Sequence, residues 1–431
     1  MSDYPVEAVG NLQLTGPKND VALMIETLRG AGLADADMTV LADGLDQTWI
    51  ERTADGAPTK AAILDGLAAL GGALGPGDTA IIYLSGHGSQ EPETDPSAAA
   101  EPEADGLNEI FLPIDIGKWN NAAGSVDNAL VDDELGAAVK AIRGRGASVW
   151  LIVDACHSGT LTRSAGNPAD PDDQVRKVEP GVLGIPPEAL KAAAAAAPKL
   201  RSANGTVPAR PQADVEGAGA VAAGGGGFVA FYAAHPGQLA LQRNLPKSYS
   251  KSVEKRAHGV FTFALAEALR SGRAASYRDL AFSIMGSYQS WGAQGPVPLF
   301  DPDLAKPILG TGSAGPRRFA VSADGDAPAI DGGVVDGVAV GAVYGLSRAD
   351  DRDGKLLGHV RVTDVGTASA AVEPIARDGL PPPDLAKLGK ARLLVATLVE
   401  PAIAFTFTVT RPDPASAAPA TGAAALATPA S

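Results

Sequence analysis

The chain has 431 residues and a mass of 43.4 kDa, enough for two or three domains of about 150 residues. With 45% hydrophobic and 20% charged residues it is not mainly disordered. A net charge of −15 opposes phosphate backbones, so no nucleic-acid partner is expected, and a single cysteine, Cys156, excludes an intrachain disulfide.

The first residues, MSDYPVEAVGNLQ, lack a basic start followed by an apolar run, so no signal peptide is expected and the cytoplasm is the default location. Asn19 or Asp20 is expected to cap a helix carrying Val21, Met24 and Leu28, which Gly30 and Gly32 stop before a strand at 38–41. Thr59 should cap a second helix with Ile63, Leu67 and Leu70 on one face. Residues 79–84 read as a buried strand that runs into Ser85, Gly86, His87 and Gly88. After an acidic, Pro-rich loop at 91–105, Asp132 or Asp133 opens a helix with Leu135, Val139 and Ile142 at helical spacing. A second buried strand, 149–153, leads directly to Asp154, Ala155 and Cys156. Residues 164–227 are rich in Pro, Ala and Gly and read as a linker. A strand at 228–232 and helices at 260–270 and 277–291 follow. This alternation of strands and helices predicts an α/β fold with a mostly parallel sheet flanked by helices.

From 317 to 410 short β-like runs at 334–340, 359–362 and 396–399 predict a small separate β domain. The apolar stretch 393–410 contains Glu400 and Pro401 and reads as two strands around a turn, so no membrane partner is expected. Residues 411–431, almost wholly Ala, Pro, Thr and Ser, read as a disordered tail.

His87 and Cys156 each follow an apolar strand, and in an open parallel sheet such strand ends face the same ligand-binding edge. A thiol and an imidazole brought together there make a nucleophile and its acid/base partner. Glycines 86, 88 and 159 let a peptide backbone approach and free amide N–H groups for an oxyanion.

The stretches YLSGHGSQ (83–90) and DACHSG (154–159) resemble those of the caspase and metacaspase family of cysteine peptidases. Further stretches are similar to the family in the same order: LQLTGPKNDV, DGLNEIFLPID, VDDEL, AAHPGQLA and HGVFTFAL, which cover roughly 12–300. The resemblance implies a caspase-like large-subunit region at 1–163 and a small-subunit region at 228–310. It makes Cys156 the nucleophile and His87 the acid/base, with the backbone N–H groups of Gly88 and Cys156 as oxyanion donors. It places Asp20, Ser85 and Asp154 around the primary specificity pocket and implies protein or peptide substrates cut after Arg or Lys, through a thioester acyl-enzyme. Asp20 also reads as a helix cap and Asp154 as a turn residue; His157, His235 and His258 receive no role.

The chain departs from the family pattern in two places. Family members have a central strand before the segment matching Ser2 to Pro5, where this chain has only Met1, so a sheet edge without its strand is expected. Some metacaspases bind calcium through four aspartates; here the matching residues are Asn108, Asp132, Asp133 and Arg163, so no metal or other cofactor is expected. Two other readings stand beside the peptidase: an idle caspase-like binding module, and a legumain- or clostripain-type peptidase. Arg176, Lys177, Lys199, Arg201 and Arg210 lie in the expected linker and should be exposed sites of self-cleavage.

Overall fold

The structure is a computed structural model describing residues 1–5, 9–47, 49–93, 103, 105–156, 173–197, 225–234, 238–246, 255–271, 274–290, 299–300, 304, 306–310, 318–322, 328–334, 338–348, 355–367, 369–389, 394–400 and 402. The expectations for His157, Gly159, Arg163, Lys199, Arg201, Arg210, His235, the second strand of 393–410 and the tail 411–431 lie outside these residues.

A four-stranded sheet forms the centre, in the order β1 (Thr79–Ser85), β4 (Ser148–Asp154), β6 (Phe228–Tyr232), β9 (Leu299–Phe300). The first three strands are parallel and β9 is antiparallel. Side chains alternate across such a sheet, and both faces of β4 are apolar. Val149, Leu151 and Val153 enter one core with helices α2 (Lys60–Ala73) and α3 (Asp132–Gly144). Trp150 and Ile152 enter the other, with α1 (Gly16–Gly30), α5 (Val260–Arg270) and α6 (Tyr277–Ser290). Thr59 caps α2 as expected, its hydroxyl accepting from the Ala62 N–H at 3.2 Å. Among the described residues β1 is an edge strand.

Beside the carboxyl edge of this sheet lie two small sheets. One contains β2 (Gly88–Pro92), β3 (Leu107–Phe111) and the pair Leu130–Val131. The other runs β8 (Arg256–Gly259), β7 (Leu241–Leu245), β5 (Gln174–Val175).

Beyond the α/β unit six strands close an antiparallel barrel: β10 (Arg318–Ser322), β11 (Ala329–Ile330), β14 (Ala370–Ile375), β13 (Gly358–Val365), β12 (Val343–Arg348) and β15 (Leu394–Glu400), in that order. Phe319, Tyr344, Leu346, Val360 and Val362 fill it. Closure pairs every strand edge, which is how short runs with few aromatics make a stable unit. No helix among the described residues is long and apolar enough to cross a membrane.

Four local expectations are corrected. Helix α1 begins at Gly16, so Asp20 is a buried interior residue and not a cap. Residues 38–41 form no strand: Val40 N–H is taken by the Asp55 carboxylate, leaving one bridge from Leu41 to Gly56. The described part of 334–340 carries no strand. Part of the expected linker is ordered, with β5 and a helix α4 (Pro187–Ala196), where a run of alanines favours helix by intrinsic propensity.

Candidate active site

Strands β1 and β4 pair in parallel with Ser85 opposite Asp154. Their ends therefore deliver Ser85-Gly86-His87 and Asp154-Ala155-Cys156 side by side at the carboxyl edge, the usual ligand edge of a parallel sheet. A Cβ on Gly88 would sit 1.8 Å from the Cys156 carbonyl oxygen, so only glycine permits this approach of the two turns.

His87 is buried, its ring 5.2 Å from that of Tyr4, whose hydroxyl accepts from the His87 N–H at 2.9 Å. The ring Nε2 lies 3.0 Å from the Leu12 carbonyl oxygen. A carbonyl only accepts, so Nε2 carries the hydrogen and Nδ1 keeps its lone pair. Burial lowers the imidazole pKa to about 4, against the nearby Leu12 and Arg176 carbonyls. The Cys156 thiol donates to the Ala240 carbonyl at 3.6 Å and accepts from the Ala240 N–H at 3.1 Å. Burial pushes it up to about 12, with the Ala240 hydrogen bond acting in the other direction. Both groups are thus neutral near pH 7, and no hydrogen bond joins them.

Asp20, Ser85 and Asp154 come together, and a residue not assigned to the pocket lies between them. The Arg176 guanidinium, 0% exposed, donates from Nη2 to Asp20 Oδ2 at 2.6 Å. From Nη1 it donates to Ser85 Oγ at 2.9 Å and lies 3.0 Å from Asp154 Oδ1. The pocket is completed from β8 and α5. Asp20 accepts from the Gly259 N–H and from His258 Nδ1 at 3.1 Å, while Asp154 Oδ2 accepts from the Thr262 hydroxyl at 2.6 Å. A Cβ on Gly259 would lie 2.0 Å from Asp154 Oδ2 and 2.8 Å from Arg176 Nη1. Burial opposes charge on Asp20, Asp154 and Arg176 alike, but Arg176 and His258 bring Asp20 below the usual carboxylate range. For Asp154 burial prevails, reinforced by the Asp20 charge, and holds it above that range. Asp154 and Asp20 likewise outweigh burial at Arg176 and keep it cationic.

The backbone around Arg176 is held as closely as its side chain. Its carbonyl oxygen accepts from the Gly88 N–H at 3.0 Å and the Cys156 N–H at 3.4 Å, and its own N–H donates to the Ala240 carbonyl at 3.0 Å. Upstream, Val175 and Gln174 pair antiparallel with Leu241 and Gln242. Downstream, the Val178 N–H donates to the Gly88 carbonyl at 2.9 Å. The expectation that Arg176 sits in an exposed linker is therefore corrected. Two converging carboxylates need a cation between them, and the chain supplies its own. The absence of a role for His258 is corrected too: it orients Asp20.

Sequence reasoning missed His258, Gly259 and Thr262 although the stretch HGVFTFAL contains them, and Ala240 although AAHPGQLA ends on it. Arg176 was legible only as a basic residue open to self-cleavage, and no local pattern points to its place between Asp20 and Asp154.

Of the positions that the family resemblance implies for calcium, three lie within the described residues. Asp132 and Asp133 open α3 and Asn108 lies on β3, whereas the carboxylates that cluster, with oxygens within 4.8 Å of one another, are Glu103, Glu109 and Asp132. Asp132 alone is common to the two sets.

The strand ends thus bring a thiol and an imidazole to one sheet edge, next to two buried carboxylates that enclose the Arg176 guanidinium. Residues 1–285 match the family model described as the caspase domain, and the chain belongs to the caspase/metacaspase family of cysteine peptidases. It is 32% identical over 180 residues to Metacaspase-1 of Mycosarcoma maydis, covering 40% of each chain. It is 34% identical over 149 residues to Metacaspase-1A of Aspergillus niger, covering 34% of this chain and 32% of the relative. The chain thus spans two fifths or less of the length of these relatives. A crystal structure of a protein from Geobacter sulfurreducens is similar at a TM-score of 0.40 and 19% identity, over 70% of this chain and 91% of that one.

Proposed function

We propose that the protein is an endopeptidase that cuts on the carboxyl side of Arg, and less readily of Lys, with Cys156 as nucleophile and His87 as acid/base. The observation that carries this reading is the seating of Arg176. Its guanidinium lies between Asp20 and Asp154 while the backbone N–H groups of Gly88 and of Cys156 itself hold its carbonyl oxygen. A substrate arginine binding in the same way presents its carbonyl carbon to Sγ. Arg is preferred because a planar guanidinium reaches both carboxylates and Ser85 at once, where an ammonium is a single point charge.

As Sγ bonds to that carbon, the thiol proton passes to Nδ1 of His87 and the carbonyl oxygen becomes an oxyanion held by the Gly88 and Cys156 N–H groups. The imidazolium then protonates the departing amine nitrogen, the C–N bond breaks, and a thioester remains. Water gives a proton to His87 and attacks the thioester, and that proton returns to the sulfur as the carboxylic product leaves. The same seating makes the chain's own Arg176–Lys177 bond the first to meet the thiol. Until that bond is cut, the segment excludes other substrates.

The test is hydrolysis of fluorogenic peptides ending in Arg, Lys or Asp by the wild type and by Cys156→Ala, with mass spectrometry of both proteins. Expected are a rate order of Arg over Lys with no cleavage after Asp, a new amino terminus at Lys177 in the wild type, and neither in Cys156→Ala. Cleavage after Asp, or undiminished hydrolysis by Cys156→Ala, overturns the reading.

A further inference from the structure

Resting on that reading, we infer that Arg243 makes the cleft selective for an acidic residue at the fourth position before the cleaved bond, so that the preferred substrate has the form acid-X-X-Arg. The main-chain pairing of β5 with β7 holds any extended peptide, because backbone groups are the same in every sequence. Choice among substrates must come from side chains that meet side chains.

Among the described residues three polar meetings occur from Asp173 to Arg176. Arg176 fills the carboxylate pocket. Gln174 accepts from Gln242 Nε2, and Gln242 Oε1 in turn accepts from the Gly16 N–H at 3.1 Å, which fixes the amide's orientation. The third is the strongest. Asp173 Oδ2 lies 2.7 Å from Arg243 Nη2, with the two side chains only 1% and 9% exposed.

A guanidinium withdrawn from water to that degree needs a counter-charge from whatever occupies the cleft. An acid at this position provides it, whereas an apolar residue leaves a desolvated cation unpaired and a basic one adds repulsion. Arg243 is fixed on β7, one residue beyond Gln242, in the strand that also pairs with β8. It is thus part of the cleft wall and not of the segment that occupies the cleft. Asp173, Gln174, Val175 and Arg176 accordingly read as the sequence the cleft is built to accept.

The experiment compares kcat/KM for the fluorogenic peptides Asp-Gln-Val-Arg, Ala-Gln-Val-Arg and Lys-Gln-Val-Arg on one preparation of the full chain. The share of sites held by the protein's own segment is common to the three and cancels. The expected order is Asp over Ala over Lys, with Asp favoured over Ala by about 10- to 100-fold, and Arg243→Glu reverses the Asp and Lys ranking. Equal cleavage of the Asp and Ala peptides by the wild type overturns the inference and leaves cleavage after Arg standing. Failure to cleave any of the three by a preparation whose Arg176–Lys177 bond is cut overturns the underlying reading as well. Because the deciding peptide comparison is made on the wild type, it holds even if Arg243→Glu fails to fold.

Discussion

Replacing Asp154 by Ala tests the cation pocket quantitatively. In the structure the guanidinium meets Asp154 Oδ1 at 3.0 Å and Asp20 Oδ2 at 2.6 Å, with all three side chains excluded from water. Removing one partner of a buried ion pair costs about 3–5 kcal/mol because the other charge is left uncompensated. Here Asp20 and Ser85 remain as acceptors, so the low end applies. At about 1.4 kcal/mol per decade, about 3 kcal/mol is roughly a hundredfold. Arg176 competes for the same pocket in both proteins, so the quantity to measure is the ratio of kcat/KM for a peptide ending in Arg to that for its citrulline analogue. Citrulline keeps the shape of arginine without the charge. The ratio should fall about a hundredfold from wild type to Asp154→Ala, with circular dichroism melts confirming that both are folded. A change of less than threefold in a folded variant would refute the assignment of Asp154 to cation binding.

Other outcomes follow from the same geometry. His87 has its pKa lowered to about 4 in the folded chain from the usual 6.5, so between those values the unfolded chain binds more protons. Stability should therefore rise with pH across this window, by about 3 kcal/mol from this group; urea midpoints of wild type and His87→Gln at pH 4.5 and 7 measure it, and identical pH dependence would contradict the burial argument. Gly259→Ala places a methyl 2.0 Å from Asp154 Oδ2 and should reduce cleavage after Arg by more than tenfold, whereas a fully active variant would mean that the pocket wall yields. Calcium should activate weakly or not at all, since Asn108 and Arg163 stand at two of the four positions the family resemblance implies; a strong requirement in a calcium titration would assign the ion to Glu103, Glu109 and Asp132 instead.

Much of the molecule was legible in the order of its residues. Strands β1, β4 and β6 and helix α5 follow from uninterrupted apolar runs and helical spacing, each complete within a dozen residues or fewer. The positions of His87 and Cys156 directly after two such strands then place them at one edge, because parallel pairing aligns strand ends. The barrel was visible only as a β region. Its closure depends on pairings such as Arg318 with Thr397, which no local pattern encodes.

The tertiary structure alone decided what fills the pocket. Asp20 and Arg176 are separated by 156 residues, and Arg176 lies in a stretch whose Pro, Ala and Gly content reads as a loop. Composition reports how a segment behaves when nothing holds it. This segment is held by backbone pairing to Ala240, Leu241 and Gln242 and by two buried carboxylates that demand a cation. Hydrophobic periodicity is a property of neighbours in sequence, whereas charge compensation in a water-excluded pocket is a property of neighbours in space. The first was written along the chain; the second came into being only when the strand ends, α1 and β8 converged.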